Sequence, residues 1–172
     1  MENGVPVIIK SDQFQKDTTP SCVSINRKQI VSAGDVAYGA RGKSITKSIN
    51  DPRSSRDDTF VEFKRTMGTD AEYKSVHLGR SLSSEELSAE VLKKLKSYVT
   101  DEVVHCAVIT VPAKFRQTQI NATQKAAELA GFAHCELLQE PTAASIAYSI
   151  KATDMEGRWL VFDFGNGTFD AS

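Results

Sequence analysis

The residues best suited to chemistry lie close together near the end of the sequence. A short apolar run at residues 159–162 predicts a buried strand that delivers Asp163 to a turn made of Gly165, Asn166 and Gly167. Because three residues that tolerate positive φ let their backbone N–H groups point into one concavity, this turn suits an anion such as phosphate. A carboxylate beside it could hold a divalent cation through water. The same pattern fits an ordinary hairpin with an Asn-Gly turn, so this segment alone leaves both interpretations open.

Two earlier segments favour the phosphate interpretation. Residues 140–148 read EPTAASIAY, and residues 108–115 read VITVPAKF. In this order and at these separations, the two segments and the terminal hairpin resemble the nucleotide-binding domain of the DnaK heat-shock chaperone family, over nearly the whole chain. The resemblance implies an α/β fold, the first lobe of an actin-like, ribonuclease H-like ATPase with a small inserted α+β upper subdomain. Residues 63–68, which read FKRTMG, resemble the HscC-type branch of specialised bacterial members.

The resemblance also implies a role for each candidate residue. Lys64 would hold the attacking water and offset charge on the γ-phosphate of ATP, and Glu140 would orient the water shell of a bound Mg²⁺ ion. Asp163 and Asp170 would bind that metal or a K⁺ ion. The residues expected to receive the phosphates of ATP or ADP are Gly165, Asn166, Gly167 and Thr168. The expected catalytic set is Lys64, Glu140, Asp163 and Thr168.

Local sequence alone permits plainer roles for two of these residues. Lys64 is followed by Arg65 and fits equally well as a surface lysine. Glu140 precedes Pro141 at the predicted start of a helix, where a negative charge interacts favourably with the helix dipole. Glu140 also follows a predicted strand, and α/β proteins usually bind ligands at the carboxyl edge of the sheet. Its position therefore agrees with a structural and with a catalytic role.

Three positions depart from the family pattern. Asn166 stands where the phosphate turn usually has its middle glycine, but asparagine tolerates the left-handed region better than other non-glycine residues, so the loop should survive. Lys114 replaces an aromatic residue, and Ile120 replaces an arginine. In the family, these two positions and the proline kept here as Pro112 relay the nucleotide state to the substrate-binding domain. Whether this chain retains that relay is left open by the sequence.

Composition argues against several other classes of protein. The net charge of −1 gives no electrostatic reason to expect nucleic acid or an anionic membrane as partner. No run reaches the roughly 18 apolar residues of a membrane span, and no signal-peptide core is evident, so we expect a cytoplasmic location. The three cysteines form no Cys-x-x-Cys pair and lie in apolar segments, which predicts buried thiols. His-Cys pairs occur at residues 105–106 and 134–135, in predicted strands whose neighbouring side chains face opposite sides. Each pair could therefore offer only one ligand to a given site, which is too few for structural zinc.

Periodicity predicts the elements that position the candidate residues. The predicted strands cover residues 5–10, 22–26, 29–32, 103–111, 133–139 and the terminal hairpin. The predicted helices cover residues 34–46, 59–67, 84–99, 116–130 and 141–150, the third opening with a capping box of Ser83 and Glu86. The alternation of strand and helix after residue 103 predicts an α/β layer. We therefore expect a lower subdomain of residues 1–20 and 101–172, and an upper one of residues 21–100.

The resulting interpretation is part of the ATPase domain of a DnaK/HscC-like molecular chaperone. The family carries a first Asp-x-Gly phosphate loop ahead of the match, whereas the only such sequence here is at residues 163–165, so both ends of the chain are expected to be cut. ATP binding and hydrolysis are then expected of the full-length protein and should be weak or absent in this chain alone. The expected partners are unfolded peptide clients, a J-domain co-chaperone and a nucleotide-exchange factor. Truncated strand edges also predict self-association.

Two alternatives of other classes remain. The first is a non-catalytic interaction or scaffold module that kept the actin-like fold. The second, a small-molecule kinase of the same fold, is weaker because EPTAA at residues 140–144 is a chaperone-type signature. Loss of nucleotide binding would indicate the scaffold, and transfer of phosphate to a small acceptor would indicate the kinase.

Overall fold

The computed structural model describes residues 6–11, 14–50, 56–149, 160–164 and 169–171. In chain order the elements are β1 (Cys22–Ile25), β2 (Val31–Ala33), α1 (Asp35–Asn50), β3 (Asp58–Val61), a 3₁₀ turn (Phe63–Thr66), β4 (Tyr73–Ser75), β5 (Arg80–Leu82), α2 (Ser84–Lys96), β6 (Cys106–Val111), α3 (Gln117–Leu129), β7 (His134–Gln139), α4 (Glu140–Ser149), β8 (Phe162–Phe164) and β9 (Phe169–Ala171). We call Phe63–Thr66 the lysine turn because it carries Lys64. The predicted mixture of helices and strands is confirmed.

The first part of the chain folds around a small antiparallel sheet with strand order β2-β1-β3. Val23 and Ile25 of the central strand β1 are completely buried. They share one apolar cluster with Leu87 and Val91 of α2 and with Phe63 of the lysine turn. Because burying each such side chain contributes roughly 1.5–3 kcal/mol, this cluster holds the turn against the sheet and the helix.

Helix α2 begins with the predicted capping box. The Oγ atom of Ser83 accepts a hydrogen bond from the Glu86 N–H at 3.2 Å, and the Glu86 carboxylate accepts one from the Ser83 N–H at 2.8 Å. Leu87 and Val91 of the predicted apolar stripe are buried, whereas Leu95 is 43% exposed. The buried stripe therefore ends before the last turn of the helix.

The second part of the chain has the predicted α/β order. Strands β6 and β7 pair in parallel, from Cys106 opposite His134 to Val111 opposite Gln139, and α3 connects them. Helix α3 ends before Gly131, whose φ of 80° supplies the expected C-terminal cap. Helices α2 and α3 are joined by a second apolar cluster, formed by Met67, Leu92, Ala122 and Ala126. Phe63 of the lysine turn packs in the first cluster and Met67, directly after the turn, packs in the second, so the turn lies between the β2-β1-β3 sheet and the α/β part.

The predicted helix at residues 59–67 is wrong. Strand β3 pairs with β1 in antiparallel register, and helical backbone is limited to the lysine turn. Thr59, Phe60 and Val61 are β-branched or aromatic, and such residues fit a half-buried sheet edge better than a short helix. Glu62 then adopts a φ of 60°, which ends the strand and reverses the chain into the turn.

The predicted central strand at residues 103–111 starts later and is less buried than expected. It begins at Cys106, and Val103 and Val108 are 73% and 65% exposed. Exposed residues alternate with partly buried ones along β6, so one face of the two-stranded sheet is uncovered in the described part of the chain. Cys106 is exposed on this strand, which contradicts the predicted buried thiol, whereas Cys22 is buried and Cys135 is partly buried.

Smaller differences concern the beginning of the chain and α1. Residues 6–10, the described part of the first predicted strand, have no strand conformation, because none of the described strands pairs with them. Helix α1 continues to Asn50 instead of ending near Thr46. In the residues that the structure covers, no helix is long and apolar enough to cross a bilayer.

Candidate functional site

Lys64 lies on a short turn whose conformation is fixed by its neighbours. Glu62, directly before the turn, has φ 60° and ψ 12°, a left-handed conformation that is uncommon for non-glycine residues. Phe63 and Met67 are buried at 2% and 3% exposure, whereas Lys64 faces outward. Since residues three apart share one face of a 3₁₀ turn, Phe63 and Thr66 lie on the inner side together. The turn is held from within and presents Lys64 on its outer side.

The outer side of the turn meets the start of α4. Lys64 Nζ lies 2.7 Å from Glu140 Oε1, although 76 residues separate the two in sequence. The Glu140 side chain is only 16% exposed, and that of Lys64 is 51% exposed. Glu140 is the first residue of α4 and follows β7 directly, so it stands at the carboxyl end of a parallel strand. The fold thus brings together two of the predicted catalytic residues.

A cluster of three hydroxyl groups, which we call the hydroxyl network, supports the inner side of the turn. Thr66 Oγ1 lies 2.6 Å from the Tyr73 hydroxyl and 2.8 Å from Ser84 Oγ. Ser84 is 1% exposed and is the first residue of α2, and Tyr73 begins β4. Sequence reasoning missed these three residues because no motif or periodicity connects them. Only the fold places them within hydrogen-bonding distance.

Gly68, two residues after the lysine turn, approaches α3 very closely. Gly68 has a φ of 70°, and a Cβ atom at this position would lie 2.7 Å from the carbonyl carbon and oxygen of Thr118. The Gly68 N–H donates a hydrogen bond to the Glu85 carboxylate at 3.3 Å. A side chain at Gly68 would therefore separate the turn from α3. The glycine is needed both for its conformation and for its lack of a side chain.

The terminal hairpin is described only in part. Strands β8 and β9 are antiparallel, with Asp163 paired to Asp170 by backbone register. Asp163 belongs to strand β8, which starts three residues later than the predicted strand, instead of following that strand as expected. The predicted phosphate-binding residues Gly165, Asn166, Gly167 and Thr168 lie outside the described residues. The predicted hairpin is confirmed for its two strands, and its turn remains a prediction.

The positions of the family relay are on the α/β part. Pro112 is completely buried and accepts a hydrogen bond from the Phe115 N–H at 3.0 Å. Lys114 is exposed, and Ile120 in the first turn of α3 is partly buried. Ile120 lies two residues after Thr118, the residue of α3 that Gly68 approaches closely.

The arrangement provides a positive charge and a shielded carboxylate at the edge of the sheet. Among the described residues, no group of three or more His, Cys, Asp and Glu side chains could hold a metal ion. A Mg²⁺ ion usually keeps several waters and binds through one or two carboxylates together with substrate phosphates, so it needs no protein cage. Glu140 fits a role beside such a water shell, since its carboxylate oxygens are the hard ligands that Mg²⁺ prefers. Two of the three cysteine thiols are poor candidates for chemistry, because burial raises the pKa of Cys22 and partial burial and the Glu136 carboxylate raise the pKa of Cys135.

Comparison with known proteins supports the family resemblance seen in the sequence. A family model described as Hsp70 protein matches residues 1–172. The Chaperone protein DnaK of Ureaplasma parvum serovar 3 is 38% identical over 175 residues, and that of Ureaplasma urealyticum serovar 10 is 37% identical. In each case the match includes the whole of this chain and 26% of the relative, so the chain spans about a quarter of the length of these relatives. The chain belongs to the Hsp70 family, the family of the DnaK chaperones that its sequence resembles.

Proposed function

We propose that this chain is part of the nucleotide-binding domain of a DnaK-type chaperone, and that it contributes one side of a site for ATP or ADP with Mg²⁺. The observation that carries the proposal is the 2.7 Å contact between Lys64 and Glu140. These residues come from separate elements, and their charges meet at the carboxyl end of β7, where α/β proteins usually bind ligands. The Hsp70 family match supports the assignment to a chaperone.

The chemistry asked of this site is phosphoryl transfer to water. Such a reaction needs positioning of the nucleophile and stabilisation of charge more than covalent help from the protein. Lys64 would place a positive charge beside the γ-phosphate and orient the attacking water, and Glu140 would order the water shell of the metal. The metal, when bound, would neutralise developing negative charge on the phosphates. Asp163 and Asp170 are the proposed residues for that metal or for K⁺, and residues 165–168 are those proposed for the phosphates.

Several finer assignments belong to the same proposal. We assign residues 1–20 and 101–172 to the lower subdomain of an actin-like lobe and residues 21–100 to the upper one. The FKRTMG segment supports placement in the HscC-type branch. For the whole protein we propose a cytoplasmic chaperone with unfolded peptides as clients, a J-domain co-chaperone and a nucleotide-exchange factor. Lys114 and Ile120 replace the aromatic residue and the arginine of the family relay. We therefore also propose that the nucleotide state is coupled only weakly to client binding.

A transplant provides the test. The chain replaces the matching segment of the Ureaplasma parvum DnaK, and single-turnover ATP hydrolysis is measured in the resulting chimera and in the intact relative. We expect the chimera to hydrolyse ATP, and Lys64→Ala to lower the rate at least about a hundredfold, the scale of losing one preorganised charge in a site, with ATP affinity nearly unchanged. Lys28→Ala, on the turn between β1 and β2, is the matched control and should leave the rate unchanged.

Two results would contradict the proposal. If the folded chimera binds no nucleotide, the chain is better described as a scaffold module that kept the fold. If it binds ATP and transfers phosphate to a small acceptor in preference to water, it is a kinase. Circular dichroism and the unfolding midpoint of the chimera establish that the protein is folded in each case.

A further inference from the structure

We propose that Thr66 is a positioning residue for Lys64, acting through the hydroxyl network that it forms with Tyr73 and Ser84. This inference rests on the proposed function of the Lys64–Glu140 site. It adds residues to that site that neither touch the nucleotide nor belong to any phosphate-binding motif. Thr66 lies two positions after Lys64 on the same turn, and its hydroxyl group meets those of Tyr73 and Ser84 on the inner side.

In the hydroxyl network, each of the three hydroxyl groups can donate one hydrogen bond to an available acceptor. Thr66 donates to the Phe63 carbonyl at 3.1 Å, which closes the turn on itself. The Tyr73 hydroxyl can then donate to Thr66 Oγ1, and Ser84 can donate to Thr66 Oγ1 at 2.8 Å or to the Thr66 carbonyl at 3.2 Å. Thr66 thus connects the turn to β4 and to the first residue of α2. The Thr69 hydroxyl group, just after the turn, adds a further hydrogen bond to the Thr66 carbonyl at 2.8 Å.

The backbone hydrogen bonds around the lysine turn are of ordinary length at its start and longer at its end, and at its start the Arg65 N–H donates to the Glu62 carbonyl at 3.0 Å. The Met67 N–H reaches the Lys64 carbonyl at 3.4 Å, and the Thr69 N–H reaches the Thr66 carbonyl at 3.2 Å. Hydrogen-bond geometry in 3₁₀ turns is poorer than in α-helices, so such a turn adjusts easily when its surroundings change. The side chains of Phe63 and Met67 resist displacement toward solvent, but apolar contacts are not directional. On the inner side of the turn, Thr66 supplies directional contacts, to Tyr73 and to Ser84.

Loss of the Thr66 hydroxyl should therefore move Lys64 without unfolding the protein. Valine has nearly the shape of threonine, so Thr66→Val keeps the packing and leaves Tyr73 and the buried Ser84 without their shared partner. Ser84 can still donate to the Thr66 carbonyl, so the turn would relax to let the Tyr73 hydroxyl group find another partner. Since Lys64 is 51% exposed, a small rotation of the turn is enough to weaken its 2.7 Å contact with Glu140.

The first test measures the Lys64 amine directly in the chain of residues 1–172. A mild acylating reagent modifies lysines, and mass spectrometry gives the rate at Lys64 relative to Lys28. We expect Thr66→Val to raise this ratio by roughly two- to tenfold, the factor that one hydrogen bond represents. Glu140→Gln, which removes the negative charge of the partner, defines the upper limit, and Thr66→Ser, which restores the hydroxyl group, should return the ratio to near the wild-type value.

A matched control separates positioning from general stability. Thr123 in α3 is 8% exposed and donates a hydrogen bond to the Gln119 carbonyl at 2.9 Å, so Thr123→Val also removes a buried hydroxyl group. It should lower the stability of the chain by an amount similar to Thr66→Val and leave Lys64 reactivity unchanged. An unchanged ratio in Thr66→Val, or equal ratios in Thr66→Val and Thr66→Ser, overturns the proposal.

The second test uses the chimera described above. We expect Thr66→Val to lower kcat about tenfold or more, because small misplacements of catalytic groups are costly, with KM almost unchanged. Thr66→Ser should recover most of the loss. If the wild-type chimera hydrolyses no ATP, the proposed function fails, and the acylation result still decides whether Thr66 positions Lys64. A kcat in Thr66→Val equal to that of the wild-type chimera overturns the positioning role.

Discussion

Replacing Gly68 by alanine tests how closely the lysine turn is held against α3. The added Cβ atom would lie 2.7 Å from the carbonyl carbon and oxygen of Thr118 and 2.9 Å from the backbone nitrogen of Gln119. These are backbone atoms at the start of a helix and cannot rotate away, so either the turn or α3 must shift by several tenths of an ångström. Gly68→Ala therefore disturbs the support of Lys64 from a direction that the hydroxyl network does not control.

The loss in free energy of unfolding caused by Gly68→Ala can be estimated from three contributions. Overpacking a well-packed site costs about 1–3 kcal/mol. An alanine at the φ of 70° found for Gly68 adds roughly 1–2 kcal/mol. The lower chain entropy of the unfolded alanine variant returns about 0.4–1 kcal/mol. The sum centres on about 3 kcal/mol of lost stability.

Gly79 provides the matched control. Its φ of 68° is nearly the same, but a Cβ atom there would have no other atom within 4 Å. Gly79→Ala should therefore cost only the conformational part, about 1 kcal/mol or less. Urea unfolding followed by far-UV circular dichroism measures both variants in the chain of residues 1–172. If the two variants differ by less than about 0.5 kcal/mol, the limit within which separate effects are usually resolved, the close approach to α3 is not real and the reasoning about the support of the turn fails.

Three further predictions concern stability, its dependence on pH, and assembly. Ser83→Ala should cost about 1 kcal/mol in urea unfolding, because it removes one half of the capping box of α2. Partial burial raises the pKa of Glu86, but the Ser83 N–H and Arg80 lower it further, so its folded pKa lies below the ordinary value. The Glu86 carboxylate therefore contributes fully to the free energy of unfolding above the ordinary carboxyl pKa, and this contribution is lost as the pH falls through the lower folded pKa. The difference in stability between wild type and Glu86→Gln should narrow below about pH 4. A difference that stays constant with pH would contradict this. Among the described residues, β6 and β7 pair only with each other, and Val7, Ile8 and Ile9 are exposed. We therefore expect self-association of the chain at high concentration, and light scattering that shows only monomer at about millimolar concentration would refute it.

Much of the fold could be predicted from local signals. Ser83 with Glu86 predicts the start of α2, Gly131 predicts the end of α3, and the apolar run before Pro112 predicts β6. Each of these signals acts within a few residues, through a cap, a left-handed glycine or a run of β-formers. Tertiary contacts do not change them.

The failures occur where distant contacts decide the structure. Residues 59–61 become a strand because β1 offers them a partner 35 or more positions earlier in the chain, and sequence periodicity over so short a segment does not reveal this. The exposure of Val108 depends on what packs against each face of the β6–β7 sheet, and elements distant in sequence decide that.

The candidate site shows the same division. Lys64 and Glu140 were predicted from the family resemblance, but nothing local indicates that their charged groups meet at 2.7 Å. The hydroxyl network of Thr66, Tyr73 and Ser84 carries no sequence signal at all, since its members lie on a turn, a strand and a helix. The contact between Gly68 and Thr118 is likewise visible only in three dimensions.

Isothermal titration of ATP with Mg²⁺ into the chain of residues 1–172 and into the chimera tests the central claim most directly. The claim is that the chain supplies one side of a phosphate site whose other contacts come from the remaining three quarters of a DnaK-length protein. Each hydrogen bond to a charged phosphate is worth about 1.5–3 kcal/mol, so losing two of them weakens binding by roughly two to four powers of ten. We predict clear binding by the chimera and affinity at least about a hundredfold weaker for the chain alone. Equal affinity of the two proteins, or a folded chimera that binds no ATP while the intact relative does, would contradict the account.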